Sequence, residues 1–232
     1  MRKVIGILGG MGPLASIDLQ RKIVEETEAK TDQDHLHVIT DCNSQIPDRT
    51  AAILYGGQDP LAEMIRSAKR LEEAGAELLL IACNTAHYYL EELQRHVCVP
   101  FVSMIDPAIE EAIRQGARRV TVLSTTATQA TGLYEKSCRE NGIEVIGLDE
   151  ADQELLMSVI YGVKAGNVDA GVNEMKELIL RKQREGADVF FLACSELPVY
   201  FQAHQSELRG IFIDPTQTLA KKAIVMAGGL LK

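Results

Sequence analysis

LLLIACN, residues Leu78–Asn84, is an uninterrupted apolar run that ends in a thiol and an amide. A second stretch, VFFLACS (Val189–Ser195), repeats this form later in the chain, again with a cysteine near its end. Short apolar runs without alternation are typical of strands buried on both faces of a parallel sheet. Ligands of open α/β sheets bind beyond the carboxyl ends of the strands. The two runs therefore predict two buried strands, each with a cysteine where ligands bind.

The residues around these runs alternate between strand and helix patterns. In the first half, strands are predicted at Val4–Leu8, His37–Asp41, Leu78–Ala82 and Val99–Met104. Their counterparts in the second half are Val120–Leu123, Glu144–Leu148, Val189–Ala193 and Ile211–Ile213. Capped helices are predicted to begin at Asp59-Pro60, Asp106-Pro107 and Asp214-Pro215. Strands separated by helices indicate βαβ units with parallel pairing.

The two halves form an internal duplication, because the turn after the first strand, the cysteine and the Asp-Pro pair recur in the same order at similar separations. We expect an α/β fold of two similar domains related by a pseudo-twofold axis, each a mainly parallel sheet flanked by helices. The first half spans residues 1–105 and is completed by a C-terminal helix within residues 215–232; the second spans residues 106–214. This arrangement would place Cys83 and Cys194 on opposite sides of one crevice.

Composition argues against several classes of protein. The net charge of -9 argues against a nucleic-acid surface, which requires clustered lysine and arginine. With 46% hydrophobic residues the chain can bury a core, yet no apolar run approaches the length of a membrane span. The start of the chain lacks a signal-peptide pattern, and the five cysteines include no C-x-x-C pair. We therefore expect a cytoplasmic protein with reduced thiols and no metal site.

A glycine-rich turn, Gly9–Pro13, follows the first strand. It matches neither the G-x-G-x-x-G dinucleotide pattern nor the P-loop, which requires G-K-[ST]. Its exposed N–H groups are suited to hold an anion such as a carboxylate. A purely structural turn explains the same residues equally well.

Cys83 and Cys194 are candidates for chemistry because each is predicted to lie between a strand and a helix. A thiol there is close to a helix N-terminus, which favours the thiolate that acts as a base. Either cysteine alone would ordinarily be a buried, inert residue, but the duplicated placement favours a catalytic pair. Cys42 follows a strand without a counterpart thiol, and Cys98 and Cys138 are predicted to be packing residues.

A metal site formed by Cys83, His87 and Cys194 is an alternative use of the same residues. It lacks a second histidine at ligand spacing. His87 is instead predicted to pack or to form hydrogen bonds locally, one helical turn after Cys83.

Four motifs resemble the aspartate/glutamate racemase family, and most closely its aspartate racemases. They are LGGMGPLAS (Leu8–Ser16), QIPDRT (Gln45–Thr50), CNTAH (Cys83–His87) and ACSEL (Ala193–Leu197), in order over nearly the whole chain. The last departs from the GCTE of many members, but Ser195 keeps the hydroxyl group of the threonine. The resemblance implies two similar α/β halves, no cofactor and a homodimer.

The resemblance also implies roles for individual residues. Cys83 and Cys194 match the two catalytic cysteines. The positions around the α-carboxylate and amino group of the substrate match Met11, Asn84, Thr85, Ser195 and, as a further candidate, Thr128. Arg49 and Lys164 resemble the cationic pair that holds the side-chain carboxylate, and Gln45 is placed in the same pocket. Both cations together favour aspartate over a neutral substrate, although such residues are ordinarily surface charges.

The expected reaction interconverts L- and D-aspartate by two-base proton transfer, with Cys83 and Cys194 on opposite faces of the α-carbon. A thiol pKa near ~8.5 allows one cysteine to be thiolate while the other keeps its proton. The expected partner is a small acidic amino acid, with neither nucleic acid nor membrane. The alternatives are a racemase of glutamate or of broader scope, a maleate-isomerase-like or decarboxylase-like enzyme on this scaffold, and a non-enzymatic amino-acid-binding or thiol redox-sensing protein.

Overall fold

The structure is a computed structural model that describes residues 2–232. Its contacts divide the chain into two compact units. Unit 1 comprises the chain up to Pro107 together with Thr216–Lys232, and unit 2 comprises Ala108–Pro215. Each unit contains one four-stranded parallel sheet flanked by helices. The predicted α/β class with two similar domains is therefore confirmed.

Unit 1 is formed from both ends of the chain. Its strands are β1 (Ile5–Gly9), β2 (Val38–Cys42), β3 (Leu78–Ile81) and β4 (Phe101–Val102), in the sheet order β2-β1-β3-β4. Its α-helices are α1 (Pro13–Glu26), α2 (Arg49–Tyr55), α3 (Leu61–Glu73) and α4 (Leu90–Gln94), with α11 (Pro215–Met226) added from the end of the chain. Short 3-10 helices lie at Asp32–Asp34 and Thr85–Tyr89.

Unit 2 repeats this topology in a continuous segment. Its strands are β5 (Arg119–Ser124), β6 (Glu144–Val145), β7 (Val189–Ala193) and β8 (Phe212–Ile213), in the order β6-β5-β7-β8. The helices after the unit boundary, which lies within α5 (Ile105–Arg114), are α6 (Thr126–Thr131), α7 (Leu133–Glu140), α8 (Glu150–Lys164), α9 (Val172–Arg184) and α10 (Leu197–Ala203). In both units, the strand that precedes a candidate cysteine is the third along the chain.

Strand β3 is apolar throughout because both faces of its sheet are covered. Leu78 and Leu80 pack in a core that includes residues of α1 and α11. Leu79 and Ile81 pack in a separate core with residues of α3. Successive side chains of a strand point to opposite faces, so two helical layers require an unbroken apolar run.

Strand β4 is shorter than predicted because the chain leaves the sheet at Ser103. The Oγ of Ser103 accepts hydrogen bonds from the backbone N–H groups of Ile105 at 3.2 Å and Asp106 at 3.3 Å. Asp106 therefore lies inside α5, and the predicted Asp106 cap is wrong. A hydroxyl at this point accepts the otherwise unpaired N–H groups of a first helical turn.

Helix α3 also begins one residue later than Asp59-Pro60 suggests. Its N-cap is Pro60, and Oδ1 of Asp59 accepts a hydrogen bond from the N–H of Leu61 at 2.9 Å.

Over residues 2–232, no helix combines the length and apolarity that crossing a membrane requires.

Candidate active site

The glycine turn after β1 is held closely against the end of β2. The N–H of Gly10 donates to Oγ of Ser16 at 2.9 Å, and Gly10 has a φ of 91°. A Cβ at Gly10 would lie 2.3 Å from the backbone carbonyl group of Asn43, and one at Gly9 would lie 2.3 Å from Oγ of Ser16. Only glycine fits these two positions, so the turn has a structural reason of its own.

Arg49 holds the backbone of Met11, which lies within this turn. Its Nη2 donates to the carbonyl oxygen of Met11 at 2.9 Å, and its Nη1 donates to that of Pro47 at 2.9 Å. Arg49 is only 8% exposed, and its Nε is buried without a hydrogen-bond partner among residues 2–232. No carboxylate in that range pairs with it. The guanidinium of Arg49 is therefore buried, and it keeps a positive charge and an N–H donor with which to bind an anion.

Cys83 follows β3 and is 6% exposed. Its side chain belongs to the same apolar cluster as Met11, Ile46 and Ala86. Within unit 1, Met11 thus shares this apolar cluster with Cys83, and its carbonyl oxygen accepts a hydrogen bond from Arg49. Gln45 is exposed, and its backbone N–H donates to Oδ1 of Asn43 at 3.1 Å.

His87 is a bridge between the backbone of Cys83 and that of Met104. Its Nδ1 lies 2.9 Å from the carbonyl oxygen of Cys83, and its Nε2 accepts the N–H of Met104 at 3.0 Å. This requires a neutral ring with the proton on Nδ1, and burial lowers the pKa of His87 accordingly. Both ring nitrogens are occupied, so His87 is not available as a metal ligand.

Asn84 and Thr85 are buried directly after Cys83. The element that follows Cys83 is a five-residue 3-10 helix rather than the predicted α-helix. An element of five residues has a smaller dipole than a long α-helix.

Cys194 follows β7 in unit 2 and is 5% exposed. Its Sγ donates to Oε2 of Glu196 at 3.0 Å, and the Oγ of Ser195 donates to the same oxygen at 3.3 Å. Burial raises the pKa of the Cys194 thiol well above its ordinary value, and the negative charge of Glu196 raises it further. Burial and the Glu196 carboxylate therefore both favour the protonated thiol of Cys194.

The two remaining candidates of unit 2 differ in burial. Thr128 is buried on α6, and its Oγ1 lies 3.0 Å from that of Thr125, the N-cap of this helix. Lys164 is exposed in the last turn of α8, with its Nζ 5.9 Å from the centre of the Tyr161 ring. The positive charge of Lys164 lowers the pKa of Cys194 and so partly offsets the increase that burial and Glu196 cause.

Glu196 and Ser16 lie within two of the quoted motifs, but the sequence analysis assigns neither of them a role. The sequence signal for Glu196 is its place in ACSEL, two positions after a candidate thiol. All five cysteines are free thiols. Within residues 2–232, no group of three or more metal-ligating side chains is close enough to hold a metal ion.

A family model described as Asp/Glu/Hydantoin racemase matches residues 8–223, which is most of the chain. The chain belongs to this racemase family. The aspartate racemase of Picrophilus torridus superimposes with a TM-score of 0.86 at 32% identity, over 99% of this chain and 96% of that one. The fold and the residues therefore lead to the same family.

Two curated members of the racemase family extend the comparison. A broad specificity amino-acid racemase of Bacillus subtilis is 29% identical over 227 residues, which cover 95% of this chain and 96% of the relative. A glutamate racemase of Aquifex aeolicus is 30% identical over 179 residues, which cover 74% of this chain and 68% of the relative. The names of these members differ in substrate, so family membership alone leaves the substrate open.

Proposed function

We propose that this chain is a cofactor-independent amino-acid racemase that interconverts L- and D-aspartate, with Cys83 and Cys194 as its two acid–base groups. The observation that carries the proposal is their repeated placement. Each is a buried, free thiol that follows the third strand of its own parallel sheet. We further propose that the halves, residues 1–105 with 215–232 and residues 106–214, are related by a pseudo-twofold axis that sets the thiols on opposite faces of one substrate.

Racemisation removes a proton from one face of the α-carbon and adds a proton to the other. In one direction the Cys83 thiolate takes the proton as the C–H bond breaks, and the S–H bond of Cys194 breaks to protonate the opposite face. In the other direction the two roles are exchanged. Two bases in fixed positions can do this without either crossing the plane of the substrate.

The α-proton is weakly acidic, so the negative charge that develops must be stabilised. We assign this task to donors around the α-carboxylate: Asn84 and Thr85 after β3, and Ser195 after β7. Met11 and Thr128 complete the surroundings of the α-carboxylate and amino group. All five are buried, and electrostatic stabilisation by hydrogen-bond donors is stronger where water is excluded.

The preference for an acidic side chain is assigned to Arg49 and Lys164, with Gln45 in the same pocket. The support for Arg49 is its burial as a cation that no carboxylate of residues 2–232 neutralises. The relatives from Picrophilus, Aquifex and Bacillus carry the names of aspartate, glutamate and broad specificity racemases. Glutamate and neutral amino acids are therefore the comparison substrates.

Proton NMR of L-aspartate in deuterated water, without pyridoxal phosphate, tests the proposed reaction. A racemase removes the α-proton signal and produces D-aspartate, which a chiral separation detects. A maleate-isomerase-like enzyme would leave the α-proton in place, and a binding protein would bind aspartate without exchange. The same measurement with L-glutamate and L-alanine determines the substrate scope.

The cysteine roles are tested by substitution. We expect Cys83→Ala and Cys194→Ala each to abolish racemisation, because each removes one of the two proton carriers. Cys42→Ala and Cys138→Ala are matched controls that keep activity. Near-normal turnover in either of the first two variants would contradict the two-base scheme.

We also propose that the protein is a cytoplasmic homodimer. Light scattering, which measures the mass of the particle in solution, tests the dimer.

A further inference from the structure

The carboxylate of Glu196 receives hydrogen bonds from two neighbouring side chains. Its Oε2 accepts the Sγ–H of Cys194 at 3.0 Å and the hydroxyl of Ser195 at 3.3 Å. Glu196 is the N-cap residue of α10, yet its side chain makes no capping hydrogen bond. Its carboxylate is therefore turned to the thiol, and the start of the helix does not explain its position.

Charged and titratable groups from three elements act on Cys194. Glu196 contributes a carboxylate and, in the opposite sense, a backbone N–H. Lys164 contributes a positive charge from α8, and the side chain of the buried Tyr134 on α7 is close enough to interact electrostatically with Cys194. Lys164 is exposed, so water screens its charge, whereas the carboxylate is in direct contact with the sulfur. Loss of the proton from Cys194 would place two negative charges 3.0 Å apart.

We propose that Glu196 is a positioning residue that keeps the proton of the cysteine pair on Cys194, so that Cys194 is the acid of the resting enzyme. This rests on the proposed racemase function. In the first half of a cycle, Cys83 takes the α-proton and the S–H proton of Cys194 passes to the α-carbon. Cys194 is then a thiolate beside a carboxylate, and the repulsion favours its return to thiol. It regains a proton from water, while Cys83 releases one to water.

Carbon-13 NMR of the protein with ¹³Cβ-labelled cysteine tests the proposal in the resting enzyme. The Cβ shift separates thiol from thiolate, and the spectrum of Cys194→Ser assigns the signal. In the wild type we expect Cys194 to remain a thiol throughout the pH range in which an ordinary thiol, with a pKa near ~8.5, loses its proton. A thiolate signal at neutral pH would overturn the proposal without any variant.

Glu196→Gln separates the charge of the carboxylate from its shape. We expect this variant to lower the titration midpoint of Cys194 by at least about one pH unit, since the repulsion is removed while an acceptor oxygen is kept. The control is Glu154→Gln, which makes the same charge change on the exposed face of α8 and should leave the midpoint in place. An unchanged midpoint in a folded Glu196→Gln would overturn the proposal.

Turnover gives a second measurement. In a two-base enzyme the alkaline limb of the pH profile of kcat/KM reports loss of the acid's proton. Glu196→Gln should move that limb to lower pH by the shift seen in the NMR titration, whereas a purely structural role would lower the rate without moving it. Because the NMR titration needs no turnover, it stands even if the protein fails to racemise aspartate.

Discussion

The imidazole of His87 connects the backbone carbonyl of Cys83, 2.9 Å from Nδ1, to the backbone N–H of Met104, 3.0 Å from Nε2. Cys83 follows β3 and Met104 follows β4, so a single buried ring joins the carboxyl ends of two adjacent strands. The position of the Cys83 backbone therefore depends on a side chain four residues away in the chain.

We expect His87→Ala to lower the free energy of unfolding by about 2–4 kcal/mol, because it leaves a buried carbonyl and a buried N–H without partners. Urea denaturation measures the change. His96→Ala is the matched control: His96 is exposed on the surface, and its Nε2 lies 3.2 Å from Oε1 of Glu92, so its loss should cost about 0.5 kcal/mol or less. Equal losses in the two variants would contradict the bridging role.

His87 should also make the fold sensitive to acid. Burial lowers the pKa of His87, whereas a histidine in the unfolded chain takes up a proton near pH ~6.5. Below that pH the unfolded state binds more protons, so stability falls as pH falls, by up to about 1.4 kcal/mol per pH unit. Unfolding at pH 7.5 and pH 5.5 should show a smaller difference in His87→Gln than in the wild type. The same difference in both proteins would rule out this contribution.

Gly10 is expected to tolerate no side chain. Gly10→Ala should destabilise the protein by about 2 kcal/mol or more, because a Cβ meets the Asn43 backbone in addition to the cost of a positive φ. Gly56 also has a positive φ but has no atom within 4 Å of an added Cβ. Gly56→Ala should therefore cost only about 1 kcal/mol. If thermal unfolding shows equal losses, close packing against Asn43 is not what requires glycine here.

Arg49→Met should reduce the preference for aspartate over alanine, measured as the ratio of kcat/KM values, by about 10²-fold. The reason is the loss of the buried guanidinium that we assign to the side-chain carboxylate. Arg95→Met, on the exposed surface beside Glu92, is the control and should leave the ratio unchanged. A variant that loses activity on both substrates equally would instead indicate that Arg49 only holds the Met11 carbonyl.

Cys138 should be chemically inert in the native protein. Burial raises its pKa to about 12, and the thiolate is the form that reacts with iodoacetamide. At pH 8 we expect alkylation of the exposed Cys42 and Cys98 but not of Cys138, as mass spectrometry of peptides would show. All five cysteines should react after denaturation. Rapid native modification of Cys138 would show that it is not the packing residue proposed.

Much of the fold follows from local sequence. The runs at β1, β3, β5 and β7 are apolar because helices cover both faces of each sheet, and this property is visible in the sequence itself. The outer strands β4 and β8 have only two residues each, so a run of apolar letters overestimates their length. Sequence alone does not distinguish Asp106 from Ser103 at the start of α5, because aspartate and serine are both good acceptors for the first N–H groups of a helix.

The site was less accessible from sequence than the fold. The cysteines are marked by their duplicated position, but the bond from Arg49 to the Met11 carbonyl joins residues 38 positions apart. The thiol–carboxylate contact of Cys194 and Glu196 depends on rotamers, which composition and spacing do not define. Sequence patterns locate the reactive side chains. Whether each side chain carries a proton depends on its distances to neighbouring groups, which differ by a few tenths of an ångström and are not visible in the sequence.

Helix α11 has a consequence for how the chain is made. Its residues Leu219, Ala220 and Ala223 share a core with Ile5 and Ile7, so unit 1 lacks part of its core until residues 216–232 have left the ribosome. Unit 2 is contiguous and can be completed earlier, although it is encoded later than most of unit 1. The chain ends lie close together, with the N–H of Lys3 bonded to the carbonyl of Ala227 at 2.9 Å. A circular permutant that starts near residue 216 would therefore make each unit continuous. In that permutant, unit 1 would be completed before unit 2, which reverses the natural order.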